Sequence, residues 1–201
     1  MRNMKPRQRD QLDHQPPKNH GTRSSAAFIG LLVALVALAA CSSPGRTTGT
    51  VLNDQNLERE VIDNIRDNPN FGENDHIKVE VQGGIVLLAG ETVSEENRLL
   101  ATQLAEKPRL TKRVVNDLKI GRRAGFGGKL DNSWLSTKVN TVLATENPVS
   151  GYDPSRIKVI SSQNTVYLMG MVTREEGEKV AEVVRNVGGV ERVVKIFDYT
   201  D

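Results

Sequence analysis

Apolar residues in this chain fall first at a helical spacing and then at a strand spacing, and the whole series occurs twice. Leu57, Val61 and Ile65 stand at i, i+4 and i+8, and Leu135, Val139 and Leu143 repeat that stripe. Each set predicts an amphipathic helix with one face on a core. The first of these helices ends before Pro69 and its counterpart before Pro148, because the residue ahead of a proline is pushed out of helical backbone. Next come the apolar runs Ile77 to Val81 and Ile85 to Ala89 around Gly83-Gly84, which predict a β-hairpin; Gln163-Asn164 holds the turn position in the second series. Ser94 and Thr173 are then placed as helix N-caps. Glu176, three residues after Thr173, completes a capping box, whereas Asn97 stands there in the first series and leaves only the cap. The second helix of the later series is expected to stop at a C-cap formed by Gly188-Gly189. A final strand, Val114 to Ile120 or Val193 to Tyr199, gives the order helix, strand, strand, helix, strand. That order predicts an α+β fold in which two helices cover one face of a three-stranded mixed sheet.

The two series are a duplication. Ile77-Lys78-Val79 returns as Ile157-Lys158-Val159, and Val86 to Gly90 returns as Val166 to Gly170, at a constant offset of 80 residues that becomes 79 near the last strand. Two copies, each a compact unit, differ from a solenoid, which needs a stack of three or more. The first domain is placed at 54–120 and the second at 131–201, joined by a linker at 121–130 rich in glycine and basic residues. Gly90 and Gly170 sit where a strand hands over to a helix cap, and are expected to take backbone conformations closed to other residues.

Ahead of the repeats the pattern changes. Residues 1–40 begin with a basic arm of Arg2, Lys5, Arg7, Arg9, Lys18 and Arg23 and continue into an uninterrupted apolar stretch from Ala26 to Ala40. This is the layout of a secretory signal, and the stretch is short for a spanning helix, which takes about 20 residues. Leu38-Ala39-Ala40-Cys41 resembles a lipobox, in which the thiol of Cys41 takes a diacylglycerol and its freed amine an acyl chain. Two chains suffice for stable anchoring, at about 0.8 kcal/mol per buried methylene. Residues 41–53 then read as the lipidated cysteine and a tether.

Removing the leader changes the charge. The chain carries 27 Lys+Arg and 25 Asp+Glu; taking away the leader's six basic residues and its two aspartates leaves 21 and 23, a net charge of −2. The basic balance of the whole chain is therefore no signal for nucleic acid. Cys41 is the only cysteine, so both domains rest on packing without disulfides although the compartment is oxidising. Outside the leader the only histidine is His76, and no Gly-rich phosphate loop or cluster of metal-ligand residues occurs. The expectation is a protein without catalytic residues, metal, small-molecule substrate or cofactor beyond the covalent lipid. Glu95-Glu96 and Glu175-Glu176 fall in first helical turns, where they favour the helix dipole.

The element order, the strand ending in glycine at Val86 to Gly90 and Val166 to Gly170, and the Gly189-Val190-Glu191-Arg192-Val193 segment together resemble BON domains. Paired behind a lipobox, they resemble the dual-BON outer-membrane lipoproteins, which have soluble periplasmic relatives without the anchor. The first copy departs from the pattern with Lys107-Pro108 where a glycine usually precedes the last strand. The resemblance implies a non-enzymatic, lipid-anchored protein of the outer membrane, facing the periplasm and maintaining membrane integrity. It further implies binding of anionic phospholipid through the first helix of the second domain, with Trp134 in the lipid interface. Aligned by their stripes, the two first helices put Trp134 opposite Asn56, beside the core face and not on it, while Leu135 falls on the core face. An indole there suits a membrane interface, and equally suits packing against the other domain or the linker. Leu135, Lys129 and Lys138 join Trp134 as lipid-binding candidates, the lysines as partners of phosphate headgroups. Gly90, Gly170, Gly188 and Gly189 are expected to be structural. A tethered adaptor for an envelope protein partner or cell-wall machinery is the other reading open at this point.

Overall fold

A computed structural model describes residues 48–121, 133–149 and 153–201. The leader, Cys41, Lys129 and most of the linker lie outside them. Ser42–Asp201 forms one compact unit. The first domain runs α1 (Thr48–Arg66), β1 (His76–Gln82), β2 (Ile85–Thr92), α2 (Glu95–Glu106) and β3 (Arg113–Ile120). The second runs α3 (Ser133–Glu146), a 3-10 turn at Pro154–Arg156, β4 (Ile157–Ser162), β5 (Thr165–Val172), α4 (Arg174–Arg185) and β6 (Arg192–Tyr199).

Each sheet is mixed, as expected. In the first, β1 pairs antiparallel with β2 from His76↔Glu91 to Gln82↔Ile85, and β2 pairs parallel with β3 from Ile85↔Arg113 to Thr92↔Ile120. The second repeats this as β4-β5-β6. A parallel neighbour needs a crossover, and α2 and α4 supply it. The predicted stripes form the cores: Leu57, Val61 and Ile65 pack on Val86 and Leu88, and Leu135, Val139 and Leu143 pack on Val166 and Leu168. Each leucine so buried contributes about 1.5–3 kcal/mol.

Local capping follows the sequence closely. Ser94 Oγ accepts the Asn97 N–H, and the Thr173–Glu176 capping box is complete. The hairpin turns also form, with Gly83, Gly84, Gln163 and Asn164 all at positive φ. Asp54 accepts the N–H groups of Gly83 and Gly84 at 2.8 and 3.0 Å, so the first hairpin turn is held by α1. Three details differ from expectation. First, α1 starts at Thr48 and so takes in residues 48–53 of the predicted tether. Second, α4 ends at Arg185 with Asn186 as C-cap, where the N–H groups of Asn186 and Val187 bond the carbonyls of Val183 and Val184, so Gly188-Gly189 lies beyond the cap in the turn to β6. Third, Gly170 stands within β5 at ordinary backbone angles, and what excludes a side chain there is the Arg156 carbonyl oxygen, 2.4 Å from where a Cβ would sit. Gly90 does have positive φ, +115°, and a Cβ there would lie 2.0 Å from the His76 carbonyl oxygen. In place of the missing glycine before β3, Thr111 N–H bonds Pro108 O, Thr111 Oγ1 donates to Ala105 O, and Lys112 N–H bonds Gly84 O.

The sheet faces turned away from the helices pack against each other. Ile85, Leu87 and Ala89 of β2 meet Ile160 of β4, Tyr167 and Met169 of β5 and Ile196 of β6 in a third buried cluster. Polar contacts ring it. Tyr167 Oη donates to Asp117 at 2.6 Å, Arg192 pairs with the same carboxylate, and Gln163 donates to Glu91. On another side Lys158 Nζ lies 2.6 Å from Glu80 and 3.7 Å from Glu58. The burial of the Tyr167 ring and the neighbouring Asp117 carboxylate both push the phenol pKa up, so Tyr167 stays a proton donor.

Candidate functional site

The second residue of α3 is Trp134, and the stripe of that helix decides what it can touch. Leu135, Val139 and Leu143 face the core, so the preceding residue points off its edge. Trp134 is 49% exposed, and Leu135 beside it is 0% exposed. Leu135 is thus a core residue that seats the helix; complete burial removes it from any surface contact. Trp134 does not lie free. Its ring edge rests over the backbone of Gly189, such that a Cβ on that glycine would stand 2.8 Å from Cη2 and 3.6 Å from Cζ2. One turn along, the exposed Lys138 donates from Nζ to the Gly188 carbonyl oxygen at 2.6 Å.

Trp134, Lys138, Gly188 and Gly189 therefore come together from positions about 50 residues apart in sequence, as the Lys138–Gly188 separation shows. Sequence reasoning placed the two glycines at a helix end and missed this partnership. The signal that carried it was the difference between the copies. With the first helices aligned on their stripes and the last strands on their arginines, the first domain has Asn56, Glu60, Arg109 and Leu110 at these four places, so the glycine position before its last strand falls on Arg109-Leu110 and not on Lys107-Pro108 as expected.

The remaining outer face of α3 has an unusual chemistry. Over Ser133–Glu146 its only charged residues are Lys138 and Glu146, whereas α1 carries Glu58, Arg59, Glu60, Asp63 and Arg66. The threonines of α3 bond inward: Thr137 Oγ1 donates to Ser133 O at 3.0 Å and Thr141 Oγ1 to Thr137 O at 2.9 Å. Hydroxyl protons already satisfied by the helix backbone reduce the cost of removing that face from water. On the inner side, Ser136 and Ser161 share a 2.7 Å hydrogen bond that ties α3 to β4.

Among the described residues no group of three or more His, Cys, Asp or Glu side chains converges so as to hold a metal ion. No helix among them is long and apolar enough to cross a membrane.

Two α+β sandwiches of the same topology, packed sheet to sheet, define a tandem-module protein. The BON domain profile matches residues 53–122 and 131–201, and the chain belongs to the BON-domain family. It is 30% identical over 176 residues to "Outer membrane lipoprotein DolP" of Haemophilus influenzae, covering 88% of each chain. It is 29% identical over 154 residues to the "21 kDa hemolysin" of Actinobacillus pleuropneumoniae, covering 77% of this chain and 78% of that one. Among solved structures, the C-terminal domain of CdsD, a type III secretion structural protein of Chlamydia trachomatis, aligns at 17% identity with 89% of this chain and 81% of its own, at a TM-score of 0.28. That likeness is too low to carry an argument.

Proposed function

We propose that the protein is a non-enzymatic lipoprotein of the outer membrane, held by a diacylglycerol and an N-acyl chain on Cys41 and facing the periplasm. There it helps keep the membrane intact by binding anionic phospholipid through the start of α3. The half-exposed indole of Trp134, beside Lys138 on a helix face almost without charge, carries this reading. An indole satisfies its apolar body and its N–H together at a lipid interface. A lysine near an anionic surface adds about 1 kcal/mol. The similarity to an outer membrane lipoprotein over 88% of the chain supports the location. The acyl anchor supports the mechanism, because tethering turns weak headgroup contacts into intramolecular events at high effective concentration.

The test is sedimentation of residues 42–201, without the anchor, with vesicles of phosphatidylcholine alone and of phosphatidylcholine with phosphatidylglycerol. Binding to the anionic vesicles only is expected. About half of an indole's area of roughly 200 Å², at about 25 cal/mol per Å², gives about 2.5 kcal/mol. Trp134→Ala is therefore expected to weaken binding roughly sixtyfold, and Lys138→Ala about fivefold. A parent protein that ignores anionic vesicles, or a Trp134→Ala variant that binds equally well, sinks the lipid reading.

A further inference from the structure

We propose that Gly188-Gly189 is a positioning element of the lipid-binding site, a bare-backbone platform that sets the indole of Trp134 and the ammonium of Lys138 before a membrane is met. This rests on the lipid-binding reading of α3. Three observations carry it.

The first is steric. A Cβ at position 189 would fall 2.8 Å from Trp134 Cη2 and 3.5 Å from Leu135 Cδ1. The leucine is fixed in the core, so the tryptophan ring would have to give way. At position 188 a Cβ would come 3.3 Å from Lys138 Nζ, against the hydrogen bond that this ammonium makes to the Gly188 carbonyl. Each glycine thus meets one of the two side chains.

The second is that chain termination does not require the pair. Helix α4 is already closed at Asn186, ahead of both glycines. Gly189 sits at φ +104°, a backbone few other residues adopt, yet the first domain makes the same connection to its last strand through Leu110, which is not among the positive-φ residues. The left-handed glycine is therefore no requirement of this topology.

The third is that the four residues change together between copies. Where the second domain has Trp134, Lys138, Gly188 and Gly189, the first has Asn56, Glu60, Arg109 and Leu110. Within this chain the glycine pair accompanies the indole, and the residue in place of Lys138 has the opposite charge.

The consequence is preorganisation. A ring held against backbone loses its rotamer freedom when the protein folds and not when it docks, so less of its burial is offset by ordering at the membrane. Lys138 has three N–H donors and spends one on Gly188, which fixes the direction of the other two toward a headgroup phosphate.

The experiment compares Gly189→Ala and Gly188→Ala in residues 42–201, alone and combined with Trp134→Ala and Lys138→Ala respectively. Trp134 is the sole tryptophan, so its fluorescence reports this site directly. Gly189→Ala is expected to lower the steady-state anisotropy of Trp134 in the free protein and to weaken binding to phosphatidylglycerol vesicles about tenfold, with less than a twofold further loss in the Trp134→Ala background. Gly188→Ala is expected to weaken binding two- to fivefold, with that loss vanishing in the Lys138→Ala background. Unchanged anisotropy and binding in Gly189→Ala, or an equal loss with and without Trp134, overturns the proposal. If Gly189→Ala does not fold, Gly188→Ala decides by the same cycle, since its backbone angles are ordinary. Failure of the parent to bind vesicles would reject the lipid reading, while the anisotropy measurement would still decide whether the platform holds the ring.

Discussion

Asp75 accepts hydrogen bonds from Thr92 Oγ1 at 2.6 Å, from the N–H groups of Gly72 and Val93, and from Asn97 Nδ2, and so ties the entry of β1 to the exit of β2 and the start of α2. Burial pushes this carboxyl up, but the four donors outweigh it and hold the pKa below its ordinary 3.8. A group depressed in the folded state contributes all its stability above the unfolded value and loses it as pH falls through the folded one. The first domain is therefore expected to weaken as pH drops below about 4, and Asp75→Asn to flatten that acid limb while costing about 2 kcal/mol at neutral pH. Urea titrations between pH 7 and pH 3 read both effects; an acid limb equally steep in the variant would exclude Asp75 as its source. The second domain makes the corresponding junction from different residues: Arg156 donates to Glu176 at 3.0 Å and to the Met171 carbonyl at 3.0 Å. At this scale the sequence revealed what repeats locally, the Ser94 cap and the Thr173–Glu176 box. Asp75 stayed hidden because its partners are spread over 25 residues, from Gly72 to Asn97, and no short spacing marks such a cluster.

The helices and hairpins were legible because each has a period of its own and a chemical end-mark. Pro69 and Pro148, Gly83-Gly84 and the two N-caps all sit where local rules put them. The glycines inside the strands were legible as special, with a cause that only the register supplies. Opposite Gly90 stands Ile77, and opposite Gly170 stands Ile157, so in both domains the carbonyl of the residue before that isoleucine comes over the glycine. With contacts of 2.0 Å to His76 O and 2.4 Å to Arg156 O, an added Cβ must drive β1 from β2, or β4 from β5. Gly90→Ala and Gly170→Ala are each expected to destabilise their own domain by more than about 3 kcal/mol, measured as a fall in thermal midpoint. A loss below about 1 kcal/mol in either would mean that the edge strand can slide without cost.

Each sheet is covered twice, by its own helices on one face and by the other sheet on the other. The continuous apolar run Ile85-Val86-Leu87-Leu88-Ala89 was a sign of this, since a strand with one wet face alternates and a strand buried on both faces does not. Which partner covers the second face cannot be read from the run itself, and the ring of Tyr167, Asp117, Arg192, Lys158 and Glu80 that borders it joins residues from opposite ends of the chain. The contact has an approximate internal symmetry: Arg113 of β3 donates to the Phe197 carbonyl of β6, while Arg192 of β6 reaches Asp117 of β3, the arrangement of an isologous dimer made within one chain. Because the fully buried Leu87 and Met169 lie in the cluster that the two sheets form together, each domain borrows stability from the other, and the two should unfold as one. Trp134 reports the second domain alone and far-ultraviolet ellipticity reports both, so in the parent their urea transitions are expected to coincide. Met169→Asp places an unpaired carboxylate in that seam, at an expected cost above about 3 kcal/mol, and should separate the two signals. Non-coincident transitions already in the parent would show that the sheet faces touch without energetic coupling, and that the second domain carries α3 on its own stability.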